Sequence, residues 1–181
     1  TQRWLRCAVI GLNLCPFAKA VDVKEQIHYA ISRSVGFRDL LAELDKELQD
    51  LSALDASQRD TTLLIVPDAL ADFLEYNDFL GQADRLLAKR GFEGVFQIAS
   101  LHPLYEFADS HPDDIANCTN RSPYPMLHIL REDSIDRAVK AFPHADAIFQ
   151  TNIDSMERLG RAGWDALDVA ATVPHGKIGP P

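Results

Sequence analysis

The segment TTLLIVP, Thr61 to Pro67, constrains this chain more than any other, because its β-branched and apolar residues run without a break over strand length. A strand with no polar set of residues is covered on both faces. A sheet is therefore expected here between two layers, and the flanking segments say what those layers are. Phe37, Leu40, Leu41, Leu44, Leu48 and Leu51 recur at helical spacing, with Asp39, Glu43, Glu47 and Asp50 off the stripe. After the strand, Leu70, Phe73, Leu74, Leu80, Ala83 and Leu87 carry a second helical face as far as Gly91. Asp68 is its expected N-cap, since a carboxylate there accepts from free amides, and Asp78 in YNDFL is a second cap that would divide it.

Further strands follow from the same periodicities. Gln26–Ser32 alternates, with Ile27, Tyr29 and Ile31 on one face, while GVFQIAS (94–100) and PMLHIL (125–130) read as the third and fourth strands. Residues 3–14 read as a helix buried nearly all round, with Trp4, Leu5, Ala8, Val9 and Leu12 on one side and Ile10 and Leu14 on the other, ending before Pro16. EDSIDRAVKAF and DAIFQTNIDSMERLG are two more helices, the second closed by Gly160; the tail 161–181 holds WDALDVAA and then loop. Two successive strand-helix-strand units favour parallel pairing. The expectation is a single α/β domain over 1–181, with a mixed sheet of four strands covered by helices. Three strands are expected to be parallel and the fourth antiparallel at an edge.

Eighteen basic against 27 acidic residues give a net charge of −9, which speaks against broad phosphate-backbone binding and so against nucleic acid as a partner. No run approaches the ~18 apolar residues of a membrane span. Cys7, Cys15 and Cys118 include no CxxC pair, so a reduced, cytoplasmic, soluble protein is expected. The opening TQRWLRCAVIGLNL lacks a small-residue cleavage pattern and does not read as a signal peptide.

The polar richness of the chain is concentrated in LHPLYEFADSHPDDIANCTNRSPYP, residues 101–125, far longer than an ordinary connection of about 4 to 6 residues. In open sheets ligands bind outside the carboxyl ends of parallel strands, and this loop leaves from such an end, beside Ser32-Arg33-Ser34 and Pro67-Asp68. Its first histidine, His102, is suited to act as general acid or base, or to cap the strand by bonding backbone. Arg121 presents a planar fork of donors for an anion, or staples the loop through Asp109, Asp113 or Asp114. Asn117, Thr119 and Asn120 favour turns, and Pro103, Pro112, Pro123 and Pro125 stiffen the chain. His102, His111, His128, Asp113, Asp114 and Cys118 have donors for a divalent ion, yet no pair shows a recurring ligand spacing. The sequence names no cofactor.

NLCPFAKA raises a different possibility. With Pro16 as the first residue of a helix, Cys15 would hold the cap position, where free amides and the helix dipole stabilise a thiolate. The plainer reading is a small buried hydrophobe.

GLNLCPFAKAV (11–21), TTLLIVP (61–67), DFLEYNDFL (72–80), LHPLYEF (101–107) and TNRSPYPMLHILRE (119–132) together resemble a bacterial family known as domain of unknown function 1415. The resemblance spans nearly the whole chain. It implies that Cys15, His102, Tyr105, Asn120, Arg121, Tyr124, His128 and Arg131 belong to hallmark segments, and it carries no activity with it. The expected site therefore has His102, Tyr105 and Cys15 as catalytic candidates and Arg121, Asn120, Tyr124, His128 and Arg131 as ligand-binding ones. The expected function is an enzyme or binding protein for a small anionic ligand at the 101–125 loop. A non-catalytic interaction domain, a Cys15 thiol enzyme and a divalent-metal site are the alternatives.

Overall fold

A computed structural model describes residues 1–142 and 147–170. Helix α1 (Gln2–Trp4) runs directly into a π-helical stretch (Leu5–Ile10), and α2 (Ala18–Val23) precedes strand β1 (Ile27–Ile31). Then come α3 (Phe37–Ser52), β2 (Thr61–Ile65), α4 (Phe73–Arg90), β3 (Phe96–Leu101), a short 3-10 turn (Ile115–Thr119), β4 (Met126–Arg131), α5 (Glu132–Ala141) and α6 (Ile148–Ala166).

The four strands form one mixed sheet in the order β1-β2-β4-β3. β1 pairs with β2 in parallel, and β4 is antiparallel to both β2 and β3. Strands β1, β2 and β3 thus share a direction and β4 opposes them, but the expected edge place for β4 is corrected. It lies inside the sheet, so only β1 and β2 form a parallel pair. Burial explains the placement: Met126, Leu127 and Ile129 are fully buried and point to both faces, so β4 needs cover on each side. β1, with exposed His28 and Ile31, tolerates an edge.

One face of the sheet carries the main core. Leu64, Val66, Leu127, Ile129 and Phe96 pack against Leu40, Leu44, Leu48 and Leu51 of α3 and Tyr76, Phe79, Ala83 and Leu87 of α4. The four α3 leucines each contribute roughly 2 kcal/mol by leaving water, which is why that helix takes its expected span. α4 differs from expectation at both caps. Its N-cap is Asp72, whose carboxylate accepts from the amides of Leu74 and Glu75 at 2.9 Å. Asp68 instead pairs with Arg33 at 3.1 Å, tying the ends of β1 and β2. The helix does not divide at Asp78, because Tyr76 and Phe79 continue the buried stripe into Ala83 and Leu87. Gly91, at φ 71°, ends it in the left-handed conformation that glycine adopts freely.

Among the described residues the opposite face is packed at one end. Trp4, Leu5, Ala8, Ala18 and Val169 pack on Leu63, Ile65 and Met126. The expected helix over 3–14 stops at Ile10, and Arg6 and Cys7 are exposed, so it is not buried all round. Bonds from Gly11 N–H to Arg6 O and from Leu14 N–H to Val9 O show its widened register. At the other terminus Gly160 (φ 64°, ψ 176°) kinks α6 but does not close it, and Trp164 and Leu167 return to the sheet. The last part of the expected loop tail, 171–181, lies outside the described residues, as do 143–146.

Candidate functional site

The 101–125 loop is held by its own polar groups. Buried Asn117 accepts from Phe107 N–H at 3.0 Å and from the Ser110 hydroxyl, and donates to His111 O at 2.9 Å. Asp114 caps the 3-10 turn by accepting from Ala116 N–H, and Thr119 donates to Ala116 O. Arg121 donates from Nε to Tyr105 O and from Nη2 to Pro112 O, so it staples the loop through carbonyls rather than through the expected aspartates. The Trp4 indole donates to Arg121 O at 2.9 Å, which fastens the loop to α1.

His102 is fully buried between Phe73 and Tyr76, with ring centroids 5.2 and 4.9 Å away. Its Nδ1 accepts from Leu104 N–H at 3.0 Å and its Nε2–H donates to Leu70 O at 2.9 Å. Both ring nitrogens are thus committed to backbone, and burial lowers the pKa, which favours the neutral ring. Leu70 sits at φ 58°, and the bond from His102 helps to hold it there. The Tyr105 ring packs on Phe73 and Phe107, and Tyr124 lies against the cluster around Trp4. A 290 Å³ depression beside the loop is lined by Phe107, Asp109, Ser110, Asp114 and Phe149 among others, with no lysine or arginine among the described residues. Two carboxylates and no cation make it a poor place for an anion.

The larger opening is elsewhere, on the face of the sheet that α1 leaves bare. A cavity of about 880 Å³ has Ile27, Thr61, Leu63, Leu130, His128, Gln97 and Ala99 among its lining, with walls from Cys15–Ala18, α2 and α5. These sheet positions share a face by register: Thr61 pairs with Ile27 and Leu130, Leu63 with His128, and His128 with Ala99. Ala99 is small, so the space above His128 stays open.

His128 is the polar centre of that floor. The Thr61 hydroxyl lies 2.6 Å from Ile129 O and 2.8 Å from His128 Nε2. A hydroxyl has one proton, and the carbonyl can only accept, so Thr61 donates to Ile129 O and accepts from Nε2–H. The imidazole is thereby fixed as the Nε2–H tautomer with Nδ1 as a free acceptor. Desolvation pushes its pKa down to about 4, so the ring is neutral at physiological pH.

Cys15, Asn120 and Arg131 also line the cavity, so it gathers four of the sequence candidates: Cys15, Asn120, His128 and Arg131. It does not gather His102, Tyr105, Arg121 or Tyr124. Arg131 borders it, but its guanidinium donates to Leu51 O, Leu54 O and Arg59 O on the far side of the sheet. The condition for a capping Cys15 is not met, since Pro16 does not begin a helix: α2 begins at Ala18 with Phe17 before it, and Cys15 precedes a turn. Amides of Phe17 and Ala18 favour the thiolate, but burial outweighs them and raises the pKa. No charged group among the described residues contributes.

Metal donors are not gathered: among the described residues no three His, Cys, Asp or Glu side chains come together. The sequence reading missed the cavity itself. Ala99 and Gln97 look like ordinary strand residues, and α5 like an ordinary amphipathic helix. The gap between them depends on how far α1 reaches across the sheet, for which local sequence has no signal. Among the described residues no helix is long and apolar enough to cross a membrane.

A protein-family profile described as "Protein of unknown function (DUF1415)" matches residues 1–166. Neither the curated proteins nor the solved structures include a match to the chain.

Proposed function

We propose, for a chain that belongs to the DUF1415 family of proteins of unknown function, that it binds a small organic molecule in the cavity between the bare sheet face and α2 and α5. The observation that carries this reading is His128, held by Thr61 with one ring nitrogen open to a cavity of about 880 Å³. That volume lies within the ~300–1,000 Å³ of small-molecule sites, which are mostly apolar with a few placed polar groups.

The lining fits that description. Leu5, Val9, Ile27, Leu63, Leu130 and Ile135 offer an apolar surround for the body of a ligand. Lys24 and Arg137 stand at the wall with Asp60. Asp60 accepts from the Ser134 hydroxyl, which in turn accepts from Arg137. An anionic substituent would find its cations there rather than at Arg121, which lies outside the cavity lining and holds the loop through Nε and Nη2. A concavity of about 880 Å³ also favours a small ligand over a flat protein-binding loop surface.

A thermal-shift screen of small metabolites tests the reading on the wild-type chain, on Ala99→Trp and on Ala138→Trp, which fill the cavity from opposite sides. Compounds that stabilise the wild type are expected to lose their effect on both variants. Stabilisers that act equally on all three proteins would overturn the assignment.

A further inference from the structure

We propose that the cavity selects a ligand bearing a neutral hydrogen-bond donor, a hydroxyl or N–H on an apolar ring, which donates to Nδ1 of His128. This deepens the cavity reading and rests on it.

The geometry of the Thr61 hydroxyl carries the inference. Because its single proton goes to Ile129 O, it presents only lone pairs to Nε2, and the imidazole proton is confined to that side. Nδ1 makes no bond within the described chain, yet among the described residues no buried polar side-chain atom is left without a partner. Nδ1 is therefore reached from the cavity and not sealed beneath it. The residues beside it in register, Leu63 and Ala99, have no side-chain donor to occupy it. A ligand that seats its apolar body there and brings no donor would strip water from Nδ1 without replacing the bond. Sites built around such an unpaired group reject the analogue that lacks its partner more strongly than they reject a change of one methylene. A ligand carbonyl or carboxylate at the same point would meet lone pair with lone pair. The anionic substituent allowed at the Lys24 and Arg137 wall belongs to another part of the ligand.

Matched probes test it by titration calorimetry: 1-naphthol against naphthalene, which is smaller, and 1-methoxynaphthalene, which is larger. The expected result is about tenfold or greater preference for 1-naphthol over both. That preference is expected to disappear in His128→Phe and to shrink in Thr61→Val, which frees the ring to take the other tautomer. Nitrogen NMR of the wild type supplies a readout independent of folding in the variants: Nε2 should be protonated in the free protein, and 1-naphthol should shift Nδ1. Equal affinity for the three probes, lost in Ala99→Trp, would overturn the donor inference and leave the cavity reading standing. Binding unaffected by Ala99→Trp, or none by any probe at millimolar concentration, would overturn both.

Discussion

At the scale of single residues the molecule separates polar side chains that hold structure from those with capacity to spare. His102 and Arg121 look alike to a sequence reader and prove alike in role, since both ring nitrogens of His102 and Nε and Nη2 of Arg121 are bonded to backbone. His128 is different, with one nitrogen engaged and one open. Its titration carries a prediction with a definite sign. The folded pKa, about 4, lies below the ordinary 6.5, so between those values the unfolded chain binds more protons than the folded one. Stability then rises with pH across that window and is lost as pH falls from about 6.5 toward 4, by at most roughly 3 kcal/mol for this group. His28 and His102 are also lowered by burial, so the diagnostic is a difference. Urea denaturation of His128→Phe should show a flatter profile than wild type over pH 4–6.5; parallel profiles would refute a His128 held neutral by the fold. Cys15 supplies a second test. Burial raises its thiol, whereas Cys7 is exposed. Iodoacetamide at pH 7.5 should label Cys7 well before Cys15, and faster labelling of Cys15 would restore the case for an activated nucleophile.

At the scale of elements, the helix caps show where periodicity is sufficient and where it is not. The apolar stripe of α4 was legible, yet Asp68 and Asp72 are both plausible caps, and only the path of the chain off β2 decides between them. Asp72→Ala removes the acceptor for two amides and should cost about 1 kcal/mol. Asp68→Ala breaks only the exposed pair with Arg33 and should stay within about 0.5 kcal/mol. Chemical denaturation of both variants checks this, and a larger loss at Asp68 would reverse the assignment. The strands were legible for the same reason as the helices, because each carries its periodicity locally. Their order was not. Placing β4 between β2 and β3 is a long-range choice made by the burial of Met126, Leu127 and Ile129, and the 101–125 loop is long enough to permit either edge or centre. The loop drew notice as a site because it is polar and long. Its polarity is largely spent on holding turns, as Asn117 and Arg121 show.

For the whole molecule, the unequal covering of the two sheet faces links stability to binding. One face is closed by α3 and α4, while the other, among the described residues, is roofed at one end by Trp4 to Ala8, Trp164, Leu167 and Val169 and elsewhere by α2 and α5. Ten residues long, α5 has no buried side chain, since its inner side looks onto the cavity instead of a packed floor. A helix so placed has little tertiary packing to hold it and should open at low free energy. β2 and β4, paired on both sides and covered by the main core, should open only with the whole molecule. Native-state hydrogen exchange should therefore find the slowest amides in β2 and β4 and fast ones in α5. A ligand seated in the cavity gives α5 the contacts that it lacks. If opening of α5 destroys the site, a ligand at 100 times its Kd should slow exchange in α5 by about 100-fold, until global unfolding takes over as the faster route. The 101–125 loop, already held by its own bonds, should change little. Ligand protection confined to that loop, with α5 unaltered, would return the binding site to the strand end and contradict the cavity.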